Sequence, residues 1–195
     1  LETTAMDRFN GIPAIGFGTY PLSGAEAERC VADALGVGIR HIDTAQMYGN
    51  EKHVGRGIAQ SGVPRDDIFL VTKVSHEYLK ADAFAKSVEE SLERLQTDYV
   101  DLLFVHWPAI DGTPLAETMG ALAKAKRQGK ARHIGVANFN ITLLEEARSV
   151  CPEPLATLQA ESKSLRFTAM AVAWPLLLAW LTSFVFYQLA RLLTS

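Results

Sequence analysis

GIRHIDTAQMYGNE, the sequence of residues 38–51, joins a short, largely apolar run to a polar loop. Runs of this kind are typical of strands that are covered on both faces of a parallel sheet. The same pattern recurs along the chain, and amphipathic stretches with helical periodicity separate the runs. This alternation indicates parallel strands joined by crossover helices. It predicts six strands, over residues 14–20, 39–45, 67–74, 100–107, 133–139 and 156–161.

Repeated strand and helix units of this length build either an open doubly wound sheet or a closed eight-stranded barrel. No GxGxxG segment follows the first predicted strand, and GxxxxGK[ST] occurs nowhere in the sequence. These absences remove the usual phosphate-binding loops of doubly wound folds. The sequence therefore favours an α/β fold of the (β/α)8 TIM-barrel type, reduced to about six strand-helix units.

The composition indicates one main globular domain and argues against several classes of partner. The 195 residues are 48% hydrophobic and 21% charged, with a formal net charge of -3. Basic residues are mixed with acidic ones, so a nucleic acid is not expected. Cys30 and Cys151 are expected to be reduced thiols, and neither they nor the histidines have the spacing of a metal site. Residues 1–10 show no secretory signal, which predicts a cytoplasmic protein.

Two helix starts are predicted from their capping residues. Ser23 and Glu26 have the spacing of a capping box, in which each side chain accepts a hydrogen bond from the other residue's backbone N–H. Thr113 is the expected cap of a later helix that has Pro114 in its first turn.

Polar residues at the ends of the predicted strands are the candidate active site. In a parallel barrel the C-terminal ends of all strands open on one face, so Asp43, Lys73 and His106 should converge although they are distant in sequence. Tyr48 lies in the loop that follows the second strand and can lean over the same opening. Glu51, just beyond, has two interpretations: it orients the Tyr48 loop, or it complements a helix dipole.

These four side chains can polarise a carbonyl group and protonate it. A tyrosine titrates near pH 10, and a cation within a few ångströms lowers its pKa by about one to three units. Lys73 would supply that cation, and Asp43 would keep the lysine charged. Tyr48 would then be the general acid, His106 would position the carbonyl oxygen, and a cofactor would supply the hydride.

Four segments in the expected order resemble the aldo-keto reductases, and in particular the bacterial members that reduce diketo-gluconate and small aldehydes. They are GIRHIDTAQMYGNE (38–51), VTK (71–73), VHWP (105–108) and GKARHIGVANF (129–139). The resemblance implies a (β/α)8 barrel that uses NADPH. It also implies that Asp43, Tyr48, Lys73 and His106 are the catalytic tetrad.

The same resemblance implies further contacts at the opening of the barrel. The expected cofactor-binding residues are Thr19, Asp43, Asn138 and Gln159. Tyr20 and Trp107 are expected to line the substrate pocket. One difference is local: Ala137 stands where many relatives have serine, which removes a possible hydrogen bond to the carboxamide of the cofactor.

The resemblance covers about residues 11–161, and residues 162–195 are predicted to be a separate, apolar tail. Residues 167–190 form a run of 24 without a charged side chain. As a helix this run would be about 36 Å long, enough to cross a hydrocarbon core of about 30 Å. A C-terminal membrane anchor, with the barrel portion in the cytoplasm, is therefore one alternative. The other is that the tail results from a broken reading frame.

Three hypotheses for function remain open at the level of sequence. The first is an NADPH-dependent reductase of aldehydes or ketones. The second is a catalytically inactive, tail-anchored remnant, since the last two strands and the phosphate-binding loops of the family have no counterpart. In the third, two copies complete each other's barrel by exchange. The carbonyl substrate and the oligomeric state are not predicted.

Overall fold

The computed structural model describes residues 8–9 and 11–159, as backbone alone at 8–9 and 157–159. The chain divides into two compact units, Leu1–Gln159 and Ala160–Ser195, and the second lies outside the described residues. The five helices of the described part are α1 (Gly24–Gly36), α2 (Glu51–Ser61), α3 (Ala81–Leu95), α4 (Leu115–Arg127) and α5 (Ile141–Val150). Its strands are β1 (Arg8–Phe9), β2 (Ile12–Pro13), β3 (Phe17–Gly18), β4 (His41–Asp43), β5 (Phe69–Val74), β6 (Val100–Val105), β7 (Ala131–Ala137) and β8 (Thr157–Gln159).

Strands β3 to β8 form one parallel sheet in which spatial order equals chain order. All six predicted strands are present, and each is followed by a helix except β8, after which the described residues end. Strand β7 begins at residue 131, two residues earlier than predicted, because Ala131 pairs with Val100. The observed repeat confirms the predicted α/β architecture of the barrel type.

Both faces of this sheet carry buried apolar side chains, which explains the nearly continuous apolar runs. One face packs under the helices and contributes Ile42, Leu70, Leu103, Ile134 and Val136 to a large core. Helix α3 adds one apolar stripe to that core, with Phe84, Val88, Leu92 and Leu95 all buried. The opposite face forms a smaller cluster that includes Val71, Leu102 and Phe104.

A short antiparallel hairpin, β1 with β2, precedes the sheet and was not predicted. Gly11 lies in its turn at a φ of 83°, a conformation that glycine adopts without strain. Ile12 packs against the smaller cluster of apolar side chains. The hairpin therefore covers part of the face of the sheet that the helices leave open.

Both capping predictions were wrong in detail. Ser23 is the N-cap of α1, but its side chain makes no capping hydrogen bond. Pro114 is the N-cap of α4 in place of Thr113. The Thr113 hydroxyl instead donates a hydrogen bond to Asp111 Oδ1 at 2.7 Å.

Among residues 11–159 there is no helix long and apolar enough to cross a membrane. The predicted membrane segment, residues 167–190, lies outside the described residues. Its role as an anchor therefore stays a prediction, as does the boundary between residues 161 and 162.

Candidate active site

The register of the sheet directs three of the predicted side chains to one face. Asp43 pairs with Val71 across β4 and β5, and Lys73 pairs with Phe104 across β5 and β6. Successive residues of a strand alternate between faces, so Lys73 shares a face with Val71 and Asp43. His106 stands two residues after Phe104, directly beyond the end of β6. The sheet therefore brings the strand-end residues together at its C-terminal edge.

Lys73 is buried, with 1% of its surface exposed, and three polar groups of the described residues lie close to its ammonium group. Nζ donates to Asp43 Oδ1 at 2.5 Å and to the backbone oxygen of Thr44 at 3.0 Å. The third neighbour is the hydroxyl of Tyr48, 3.4 Å away. A buried ammonium keeps its charge when a carboxylate compensates for the lost water, and Asp43 meets that requirement.

Tyr48 is half-buried and ends a short 3-10 turn, Gln46–Tyr48. Gly49 follows the turn at a φ of 66°, a left-handed conformation that suits glycine. The ring of Tyr48 lies edge-on to that of His106, with centroids 5.7 Å apart, and 5.2 Å from the ring of Tyr20. Tyr20 is 70% exposed, so it forms the outer side of this aromatic group.

His106 is buried, with 3% of its surface exposed. Burial, and next the positive charge of Lys73, lower the pKa of His106 from 6.5 to about 4. The imidazole is therefore neutral at pH 7, with one N–H to donate and one nitrogen to accept.

Asn50 holds the Tyr48 loop from the side of β3 and β4, and sequence reasoning did not single it out. Its side chain is fully buried and accepts a hydrogen bond from the hydroxyl of Thr44 at 2.8 Å. Its amide nitrogen donates to the backbone oxygens of Thr19 and Leu22 at 3.1 and 2.9 Å. A polar residue in a predicted loop is usually solvated, so the sequence carried no signal for this role.

The residues predicted to bind the cofactor lie around the same opening, as far as they are described. Thr19 is fully buried, and among the described residues its hydroxyl has no hydrogen-bond partner. Asn138 has a φ of 60°, and its side chain donates to the backbone oxygen of His106 at 2.9 Å. Gln159 pairs through its backbone with Ala137, and its side chain lies outside the described structure.

A cavity of about 570 Å³ lies beside these residues. Met47, next to Tyr48, and Trp107, next to His106, form part of its wall, and Asn138 contributes a polar group. His76 also lines the cavity and was not predicted to do so, because its sequence context is that of an ordinary loop histidine. The other lining residues are Pro108, Ala109, Ile110, Asn140 and Leu143.

This geometry agrees with comparisons to known proteins. The family model described as "Aldo/keto reductase family" matches residues 14–173, which runs past the predicted end of the resemblance at residue 161. Methylglyoxal reductase DkgB of Escherichia coli O157:H7 is 45% identical over 165 residues, which are 84% of this chain and 62% of that protein. The chain thus spans less than two thirds of that relative's length.

Solved structures show the same fold. A crystal structure of a candidate 2,5-diketo-D-gluconic acid reductase B is 54% identical with a TM-score of 0.75, and the match covers 78% of this chain and 54% of that one. A Bombyx mori aldo-keto reductase, in complex with NADP, is 34% identical with a TM-score of 0.71, over 77% of this chain and 54% of that one. The family model, the relatives and the solved structures all lead to one conclusion: the chain belongs to the aldo/keto reductase family.

Proposed function

We propose that this chain is an NADPH-dependent oxidoreductase that reduces the carbonyl group of small aldehydes or ketones to an alcohol. The observation that carries the proposal is the buried ammonium of Lys73, 3.4 Å from the Tyr48 hydroxyl and 2.5 Å from the Asp43 carboxylate. A phenol beside a fixed positive charge is a stronger acid than a free tyrosine. Tyr48 would give its proton to the carbonyl oxygen as the carbonyl carbon is reduced.

His106 has a different role in this proposal. Because its pKa is lowered to about 4, it does not compete with Tyr48 as a charged acid at pH 7. A neutral imidazole donates one hydrogen bond, which would hold the carbonyl oxygen next to the Tyr48 hydroxyl. Asp43 would keep Lys73 protonated.

The residues at the opening fit the nicotinamide end of NADPH. The buried Thr19 hydroxyl, without a partner in the described part of the chain, is a group that a bound ligand would satisfy. Asn138 is held in place by its bond to the His106 backbone, and Asp43, Asn138 and Gln159 would complete this part of the site. When bound, the nicotinamide supplies a hydride to the carbonyl carbon.

Small oxo compounds are the proposed substrates. The relatives are named for methylglyoxal and for 2,5-diketo-D-gluconic acid, which are short molecules with more than one carbonyl group. The cavity beside Trp107 is about 570 Å³, large enough for a substrate of this size. Trp107 lines this cavity, and Tyr20, whose ring lies beside that of Tyr48, would form a second aromatic wall of the substrate site.

The proposal is tested with the 195-residue chain. We expect NADPH to quench its tryptophan fluorescence and methylglyoxal to oxidise the bound cofactor. Tyr48→Phe should retain NADPH binding and lose about 10²- to 10⁴-fold in carbonyl reduction. Tyr99→Phe, a matched change far from the opening, should alter neither.

Two outcomes would contradict the proposal in different ways. Near-normal turnover by Tyr48→Phe would remove Tyr48 from its role as acid. Failure of the unsubstituted chain to bind NADPH would favour the alternative function, a catalytically inactive relative of the family. Size measurements in the same samples would show whether two copies associate, as the exchange hypothesis requires.

A further inference from the structure

Glu51 is a buried carboxylate just beyond the proposed active site. It is the first residue of α2 and lies three residues after Tyr48, with only 1% of its surface exposed. A carboxylate at a helix N-terminus is normally stabilised by the helix dipole while it remains in water. The dipole therefore does not explain why this one is buried.

The partners of Glu51 join three elements of the fold. Its Oε1 accepts a hydrogen bond from the hydroxyl of Thr72 in β5 at 2.6 Å. Its Oε2 accepts from Arg94 Nε at 2.8 Å and from the hydroxyl of Ser91 at 3.2 Å, both on α3. Thr72 immediately precedes Lys73 in the chain, so the carboxylate fixes the start of α2 against the strand that carries the buried ammonium.

The first residue of the Tyr48 turn is also hydrogen-bonded to α3. Gln46, the first residue of the turn, donates to Ser91 Oγ at 2.9 Å and to the backbone oxygen of Ser87 at 3.1 Å. Its side-chain oxygen accepts from the backbone N–H of Ser75 at 2.8 Å. Ser91 thus contacts both Gln46 and Glu51, and the two hold the turn on either side of Tyr48.

We propose that Glu51 is a positioning residue, whose buried carboxylate holds the Tyr48 turn against β5 so that the phenol stays within reach of the Lys73 ammonium. The interaction between a charge and a hydroxyl weakens with distance, so a looser turn would leave Tyr48 a poorer acid. Glu51 acts through the turn and would touch neither substrate nor cofactor. This proposal rests on the proposed function only where turnover is measured; the measurement of Tyr48 ionisation does not depend on it.

Asp101 supplies a matched control, because it is a second buried carboxylate bound to arginine. It is 3% exposed and pairs with Arg65 and Arg132 at 2.9 and 3.0 Å. It lies near the start of β6, whereas His106 follows the end of that strand. Glu51→Gln and Asp101→Asn both remove one buried charge, but only Glu51 shares a hydrogen-bond partner, Ser91, with the Tyr48 turn.

The first measurement is the ionisation of Tyr48 by ultraviolet absorbance, with the Tyr48→Phe form of each variant subtracted. We expect Glu51→Gln to move this ionisation about one pH unit higher and Asp101→Asn to leave it in place. The second measurement is turnover, in which Glu51→Gln should lower kcat about tenfold and change KM less than about twofold. Both variants should unfold at lower urea concentrations.

A second pair of variants covers the case in which Glu51→Gln does not fold. Thr72→Val removes the hydroxyl that binds Glu51 at nearly constant volume, and Thr72→Ser keeps it. In the valine variant Tyr48 should ionise at a higher pH, as in Glu51→Gln. In the serine variant Tyr48 should ionise at the same pH as in the unsubstituted chain. These changes would not follow from a purely structural role.

The two proposals fail separately. If Glu51→Gln and Asp101→Asn lower stability alike while the Tyr48 ionisation and kcat stay the same, the positioning role is overturned. If Thr72→Val and Thr72→Ser titrate alike, it is overturned as well. If the unsubstituted chain reduces no carbonyl compound but Glu51→Gln still moves the ionisation, the positioning role holds and the proposed function is wrong.

Discussion

Tyr48 and Tyr99 lie at opposite ends of the same sheet, and each has basic and acidic groups beside it. Tyr48 has Lys73 at 3.4 Å from its hydroxyl. Tyr99 lies between the guanidinium groups of Arg65 and Arg132, which are 4.1 and 4.2 Å from its ring centre. Both arginines thus lie over the ring of Tyr99, whereas the Lys73 ammonium is 3.4 Å from the Tyr48 hydroxyl and 5.1 Å from its ring centre.

This difference in approach changes what each phenol can do. The hydroxyl of Tyr99 donates to Asp66 at 2.7 Å, and partial burial together with this bond raises its pKa. Guanidinium groups do not titrate in proteins, so Arg65 and Arg132 stay charged and donate no proton. The raised pKa of Tyr99 makes its hydroxyl a weaker acid than a free tyrosine. At the Tyr48 end, a lysine and a nearby cavity would favour the proposed proton transfer. Similar residue types therefore make a structural cluster at one end and a candidate active site at the other.

The largest contrast should come from removing one cation at each end. Lys73→Met should lower carbonyl reduction about 10²- to 10⁴-fold, because Tyr48 loses the charge that makes it a useful acid. Arg65→Met should leave kcat unchanged but lower the free energy of unfolding by about 1–3 kcal/mol, since it removes one of the two arginines that pair with the buried Asp101. Steady-state kinetics and urea unfolding measure the two effects.

Loss of activity in both variants, after correction for the folded fraction, would remove the distinction between the two ends. A Lys73→Met protein that still reduces carbonyl compounds at the normal rate would show that the ammonium does not tune Tyr48.

The pH dependence of stability should separate two histidines in the same way. Unfolded His106 takes up a proton near pH 6.5, whereas folded His106 stays neutral down to about pH 4. Since the unfolded state binds more protons in this window, stability rises with pH there, by up to about 1.4 kcal/mol per unit, and falls on acidification. His106→Gln should remove this part of the slope. Urea unfolding at several pH values measures it.

His133 is the control for this experiment, because it lies in the first half of β7 and is exposed. His133→Gln should keep the slope between pH 6.5 and 4. An unchanged slope in His106→Gln would mean that His106 is not the group that resists protonation.

The smallest expected effect is that of Tyr99→Phe. The change deletes the hydrogen bond to Asp66, which is mostly exposed, so the free energy of unfolding should fall by about 0.5–1.5 kcal/mol. The difference in absorbance between the unsubstituted protein and this variant comes from Tyr99, and it should titrate above pH 10. An ionisation below pH 10 would show that the two arginines act on the hydroxyl after all.

Much of the fold was predictable because parallel strands buried on both faces leave a strong apolar pattern. The site was predictable in outline for a related reason, since the C-terminal ends of parallel strands share one edge. Strand limits were less predictable: β7 begins at Ala131, before the exposed Arg132 and His133, because pairing with β6 and not apolar content sets its start. The capping box at Ser23 failed because sequence spacing does not fix the direction of a side chain.

The residues that hold the Tyr48 turn were the least predictable part of the site. Gln46 and Asn50 are polar residues in a loop, and such residues are usually solvated. Glu51 had the position of a dipole-stabilising carboxylate, and only the contacts with Thr72 and Arg94 show that it is buried. Apart from Thr44, which lies six residues before Asn50, their hydrogen-bond partners are 21 to 45 residues away in the chain, a separation that no local pattern reports.

Because neighbouring strands of the sheet are also consecutive in the chain, each strand finds its partner already made during synthesis. Each pairing joins residues that are 22 to 31 positions apart, so no strand depends on a partner from the far end of the chain. The Asp43–Lys73 pair is complete once β5 docks on β4, before β6 and β7 are needed. A nascent chain can therefore pair the ammonium of Lys73 with a carboxylate early, before the rest of the sheet buries it.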